Sequence, residues 1–400
     1  MDFRKILALC LLPGLLASCA APPTALELGV CRQPAAVTVS YFDDPNVDYG
    51  FTDLRCADLS AWDLSDQAED LLLADFDTRT RWPERLPEAF RPAVLLELGK
   101  DPGLGLRALH AQGITGKGIG IAIIDQTLLT EHQEYADRLR LYQEYHSAAE
   151  ENASMHGPGV ASIALGETVG VAPEALLYFI ADDLSGKGSA RDLTHYAEDI
   201  DRLITLNGTL PEGEKIRVIS MSVGWMPDDP GAEAIEDAVA RARDAGIAVV
   251  CVNSRDPLLE PWMGMGRAPY GDPNAVEDCR PGIFWEDSLY AGDYRGADGS
   301  LLLVPMDRRT LAAPSGGGEY AHYASGGMSW AVPWVAGLYA LACQVKPDVT
   351  FEEFNEAARA SAQPVSVTRE GVKYPYGKVV NPQALLEALA GSLAPAKDPE

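Results

Sequence analysis

Hydrophobic positions along this chain follow two rhythms. From about residue 103 onward, short apolar runs alternate with longer amphipathic stretches. Residues 119–125 (IGIAIID), 176–180, 216–221 and 247–252 are four such runs. Each is strand-length and lacks strict polar alternation, the pattern of strands buried on both faces. Between them, 190–206 and 231–245 carry helical spacing, and Gly246 sits where the second helix should end. Strand-helix alternation of this kind predicts an α/β fold with a central, mostly parallel sheet flanked by helices. In such sheets the reactive side chains collect at the carboxyl ends of the strands. The expected domain spans residues 103–390, and 391–400 (GSLAPAKDPE) reads as a polar tail.

The second rhythm lies upstream. In residues 51–65 (FTDLR-CADLS-AWDLS), Asp53, Asp58 and Asp63 precede Leu54, Leu59 and Leu64 at a period of five. This resembles a pentapeptide repeat. Three copies are too few to bury their leucines alone, so a capping element is expected. Residues 66–100 are helix-prone and broken by prolines. They are expected to wrap onto the main domain, with a propeptide role as the alternative. At the very start, Arg4 and Lys5 precede an apolar run over 6–16 that is too short to span a bilayer and fits a signal peptide. It ends in Leu16-Ala17-Ser18-Cys19, which resembles the bacterial lipobox. That resemblance implies a signal peptide over 1–18, a lipid on Cys19, and an extracytoplasmic, membrane-anchored lipoprotein. Residues 19–102 are then a tether plus an N-terminal extension.

Charge narrows the partners. The chain carries 59 acidic against 32 basic residues, a formal net charge of -27. Phosphate recognition needs a basic footprint, so nucleic acid is excluded as a partner. Anionic lipid is excluded as a docking surface for the same reason. Leaving aside Cys10 and Cys19, five cysteines remain, an odd number that cannot all pair: Cys31, Cys56, Cys251, Cys279 and Cys343. A Cys31–Cys56 bridge is conceivable, while Cys251 and Cys343 read as buried small hydrophobes. No Cys/His spacing or calcium-loop motif occurs, so no metal or other cofactor is assigned, with calcium left open.

Candidate chemistry sits in three segments. Asp125 closes the run IGIAIID, and a carboxylate there is costly unless partnered. His156 lies in MHGPGVASIALG, at the expected start of a helix. Ser329 lies in SGGMSWAVPWVAGLYALAC, at a glycine turn into an apolar helix whose N-terminus would point N–H groups at developing negative charge. Acyl transfer by a hydroxyl needs a nucleophile, a base and a carboxylate that orients the base.

Together the segments resemble the three signature blocks of the subtilisin-like serine peptidases, in that family's own order of Asp, His and Ser. The matching stretches are Asp125-Gln126-Thr127, His156-Gly157-Pro158-Gly159-Val160-Ala161-Ser162 and Gly327-Met328-Ser329-Trp330-Ala331-Val332-Pro333. Gly170-Val171-Ala172-Pro173 and Ser220-Met221-Ser222-Val223-Gly224 fit further family segments. The resemblance covers about residues 103–390. It implies a subtilisin-like three-layer fold and a serine endopeptidase that works through an Asp125-His156-Ser329 triad and an acyl-enzyme. It also implies Asn253 as the oxyanion donor, and Ser222, Gly224 and Trp225 along the substrate cleft. The partner implied is a polypeptide substrate, and a monomer is expected. Pro158 and Gly159 stand where the family has Thr and a second His, and Trp330 and Trp334 replace smaller or polar residues. These departures motivate the alternative of an inactive peptide-binding or scaffold lipoprotein.

Overall fold

A computed structural model describes residues 52–145, 153–182, 192–252, 256, 258–259, 261–296 and 298–391. Cys19, Cys31 and Asn253 lie outside the described residues, so the expectations for lipidation, for a Cys31–Cys56 bridge and for the oxyanion donor are placed nowhere here.

The central sheet has five parallel strands in the order Leu139–Glu144, Leu176–Ala181, Gly120–Asp125, Ile216–Met221, Ala248–Cys251. Four of them are the apolar runs expected from the sequence, and every residue of Gly120–Asp125 is buried. The helices Thr194–Thr209 and Ala232–Asp244 pack together on the sheet, and Gly246 follows the second with φ +77°. A second helix pair, His156–Leu165 and Met328–Val345, packs together and also meets the sheet. This is the α/β arrangement read from the sequence: a parallel sheet flanked by helices.

Met328–Val345 has a mean hydropathy of 1.2 over 18 residues, yet 78% of it is buried inside the fold. It is the core helix, touching both the central sheet and a second five-stranded sheet. That second sheet runs Gln363–Arg369, Val372–Val379, Leu302–Pro305, Trp262–Arg267, Cys279–Arg280. Cys251, Cys279 and Cys343 are buried.

The extension is built into the same body. Leu54, Leu59 and Leu64 are buried and pack with Leu71, Phe76, Phe90 and Leu95 into a small core of their own. Isolated parallel bridges join Asp53 to Asp75, Asp58 to Arg81 and Asp63 to Arg85, so residues 75–85 run alongside the five-residue ladder. Burying each leucine contributes about 1.5–3 kcal/mol. The exposed Arg81–Asp58 and Arg85–Asp63 ion pairs add little by comparison. A short strand, Phe76–Asp77, then pairs antiparallel with Tyr320–Tyr323, which in turn pairs with Arg309–Ala312. The extension therefore supplies the edge strand of a three-stranded sheet that leads directly to Ser329.

Candidate active site

Asp125 ends the central strand and is 6% exposed. Its Oδ1 accepts the backbone N–H of Gln126 at 2.8 Å and faces Nδ1 of His156 at 2.6 Å. A carboxylate can only accept, so Nδ1 carries the proton and Nε2 is the basic nitrogen of the imidazole.

The residues after Asp125 fix where His156 stands. The backbone N–H of His156 donates to Ser154 Oγ at 3.0 Å, and Ser154 N–H donates to Thr127 Oγ1 at 3.0 Å. The Ser154 hydroxyl also meets the side-chain oxygen of Gln126. His156 begins the helix His156–Leu165, and the strand end crosses it at Gly157. A Cβ at Gly157 would lie 2.4 Å from the Gln126 carbonyl oxygen and 2.5 Å from that of Thr127. Glycine after the histidine is thus a condition for the Asp125–His156 contact. Pro158 falls in the first helical turn, where N–H groups have no intrahelical acceptor, so it breaks no bond of the ladder.

Ser329 is the second residue of the helix Met328–Val345 and is half-buried. Gly327 precedes the helix at φ +60°, ψ 178°, a conformation that disfavours any side chain. The first turn carries N–H groups free of intrahelical partners. Within the helix, Pro333 lies four residues after Ser329 and has no N–H to give its carbonyl. The hydroxyl of Ser222 takes that place, donating to the Ser329 carbonyl oxygen at 3.0 Å.

Trp330 joins the two halves of the site. Its ring lies 5.2 Å from the His156 ring and 5.4 Å from that of Tyr323. A Cβ on Gly159 would come within 2.9 Å of Trp330 Cη2. Two of the departures from the expected blocks are therefore one feature: Gly159 vacates the space that Trp330 fills beside the imidazole.

The profile of the Subtilase family matches residues 116–277, which include Asp125 and His156 and stop before Ser329. Subtilisin E of Bacillus subtilis (strain 168) is 28% identical over 286 residues, covering 69% of this chain and 68% of that protein. A subtilisin of Bacillus pumilus is 27% identical over 286 residues, covering 69% of this chain and 94% of its own. These matches support a subtilisin-like serine peptidase. A solved structure, that of the prenylagaramide maturation protease PagA, shares the fold over 72% of this chain and 99% of its own, with a TM-score of 0.50 and 20% identity.

Such a family implies polypeptide substrates, and the expected cleft residues fall as follows. Ser222 spends its hydroxyl on the backbone of Ser329. Gly224 is pressed against the next strand, where a Cβ would sit 2.2 Å from the Val252 carbonyl oxygen. Trp225 was expected to cover the cleft; its ring is instead in the main core, 7% exposed, and the neighbouring Met226 is the exposed side chain at 52%. The match of Gly159 to Trp330 and the buttress from Ser222 were not anticipated. Among the described residues no group of three or more His, Cys, Asp or Glu side chains converges as a metal site.

Proposed function

We propose that this peptidase cleaves extracytoplasmic proteins or peptides through Ser329, His156 and Asp125, as a monomer tethered to a membrane by a lipid on Cys19. Ser329 attacks the scissile carbonyl while His156 Nε2 takes its proton. Asp125 holds the imidazole in the tautomer that presents Nε2 and stabilises the imidazolium that forms. The tetrahedral oxyanion is received by the backbone N–H of Ser329 in the first turn of its helix, with Asn253 as the side-chain donor. His156 then returns the proton to the leaving amine, and water repeats the sequence on the acyl-enzyme.

The 2.6 Å contact of His156 Nδ1 with Asp125 is the observation that carries this reading. It is made at the carboxyl end of a buried strand, beside the Trp330 ring and so beside the helix turn that bears Ser329. The test is hydrolysis of a denatured protein substrate by the full chain in detergent, with His156→Ala and Asp125→Asn beside the wild type. The wild type is expected to cleave. His156→Ala should lose nearly all turnover, and Asp125→Asn should fall by about ten-thousand-fold through the wrong tautomer. Binding of the substrate without cleavage by a folded wild type would instead support the scaffold alternative.

A further inference from the structure

Between the edge strand supplied by the extension and the helix of Ser329 lies a short connection, residues 324–327. The N–H and carbonyl of Ala324 and the N–H of Gly326 are held by residues of the extension and of the catalytic domain. Asp75, from the extension, accepts the backbone N–H of Ala324 through Oδ1 at 2.9 Å. Asp307, from the catalytic domain, accepts the N–H of Gly326 through Oδ1 at 3.1 Å and that of Ile283 through Oδ2 at 2.8 Å. The carbonyl of Ala324 accepts the N–H of Arg308 at 3.2 Å, and the Arg308 guanidinium reaches back to the Leu72 carbonyl of the extension at 2.8 Å.

We propose that Asp75 and Asp307 are positioning residues for Ser329: two carboxyls, one from each part of the chain, that grip Ala324 and Gly326 and fix the turn from which the serine enters its helix. The extension is then a permanent part of the active site, not a segment to be removed.

Three observations support this. First, the connection has no slack. A Cβ on Gly326 would lie 2.5 Å from the Met306 carbonyl oxygen and within the Trp330 ring, so a shift of this turn displaces the wall of the His156 pocket as well. Second, the groups are expensive to keep. Asp307 is 3% exposed, and desolvation pushes both carboxyls up to about 7. An apolar pair would cost less if only packing mattered. Third, the extension reaches the same wall independently. Arg55 is locked to Asp53 and donates to the Tyr323 hydroxyl at 3.0 Å, and Tyr323 packs edge-on against Trp330, which borders His156.

The proposal rests on Ser329 being the nucleophile, and the experiment separates the two. Steady-state hydrolysis of one peptide substrate is measured for the full chain and for Asp75→Ala, Asp75→Asn, Asp307→Ala and Asp307→Asn, each checked for cooperative thermal unfolding. A wild type without turnover would sink the nucleophile reading itself. With an active wild type, each alanine variant should lose about 10- to 100-fold in kcat with KM changed by less than about threefold, because a small misplacement of the reacting atom acts on the transition state. Asp75→Asn, whose Oδ1 can still accept the Ala324 N–H, should recover kcat to within about threefold of wild type, whereas Asp307→Asn can keep only one of its two N–H bonds and should recover in part. If an alanine variant does not fold, Asp75→Ser takes its place: a polar side chain too short to reach Ala324, expected to lose kcat like alanine. Folded variants with unchanged kcat, a loss confined to KM, or an Asp75→Asn no better than Asp75→Ala would each overturn the proposal.

Discussion

The hydroxyl of Ser222 donates to the backbone carbonyl of Ser329 across 3.0 Å, a bond that exists because Pro333 leaves that carbonyl without a helical partner. Ser329 is thus tethered to the residue that follows the strand ending at Met221, and a helix-breaking residue inside the core helix acquires a reason. Removing the hydroxyl leaves a part-buried acceptor unmet, which costs about 1 kcal/mol. Ser222→Ala is expected to lower the unfolding free energy by about that amount and to reduce kcat, while Ser222→Thr keeps both. Pro333→Ala restores an N–H donor to the ladder, so Ser222→Ala should cost less in that background than in wild type. Denaturant unfolding of the four proteins of this cycle measures the coupling; strictly additive effects would show that Ser222 and Pro333 do not serve the same carbonyl.

Gly159 and Trp330 form a matched pair beside His156. A methyl on Gly159 would press on the indole at 2.9 Å. Overpacking of this kind costs about 1–3 kcal/mol. Gly159→Ala alone should therefore lower the melting temperature, and Trp330→Leu in the same chain should restore part of the loss by clearing the clash. A double variant no more stable than the sum of the singles predicts would mean that the two residues are not complementary.

Stability should fall on the alkaline side because of a buried carboxyl pair. Asp182 and Asp199 are each 1% exposed, at the end of the strand Leu176–Ala181 and on the helix Thr194–Thr209. Burial pushes the Asp199 carboxyl well up, and a hydrogen bond with Asp182 pushes it further, while Arg202 opposes the shift. The folded protein then keeps this proton to a higher pH than the unfolded chain does. Its stabilising contribution is full below the ordinary carboxylate range and drains away as pH rises toward the raised value. Asp199→Asn keeps a polar partner for Asp182 and cannot titrate. Between about pH 5 and about pH 8, the wild type should lose more unfolding free energy than this variant. Equal slopes would show that the carboxyl is ionised throughout.

The central sheet was legible because its strands are buried on both faces and so read as apolar runs. The edge strand Leu139–Glu144 (LRLYQE) was not, since only two of its positions are buried and Arg140, Gln143 and Glu144 break the apolar run. The second sheet escaped for other reasons. Trp262–Arg267 (WMGMGR) is broken by glycines, Leu302–Pro305 has four residues, and most side chains of Gln363–Arg369 are exposed. In the site, Asp125 and His156 could be matched because their neighbours Thr127 and Gly157 answer local needs: a hydroxyl for Ser154 and room for the strand end. The fit of Trp330 over Gly159, and the grip of Asp75 on Ala324, are contacts between segments distant in sequence. Each residue alone looked like a departure or an ordinary acidic position, so no local pattern could reveal them.

The most direct test of this account is to label the full-length protein with a fluorophosphonate probe and locate the adduct by peptide mass spectrometry. An activated serine in a folded site should give one adduct, on Ser329, lost after heat denaturation and strongly reduced in His156→Ala. An adduct on another serine, or none on a protein shown to be folded, would contradict the assignment of Ser329 as the nucleophile.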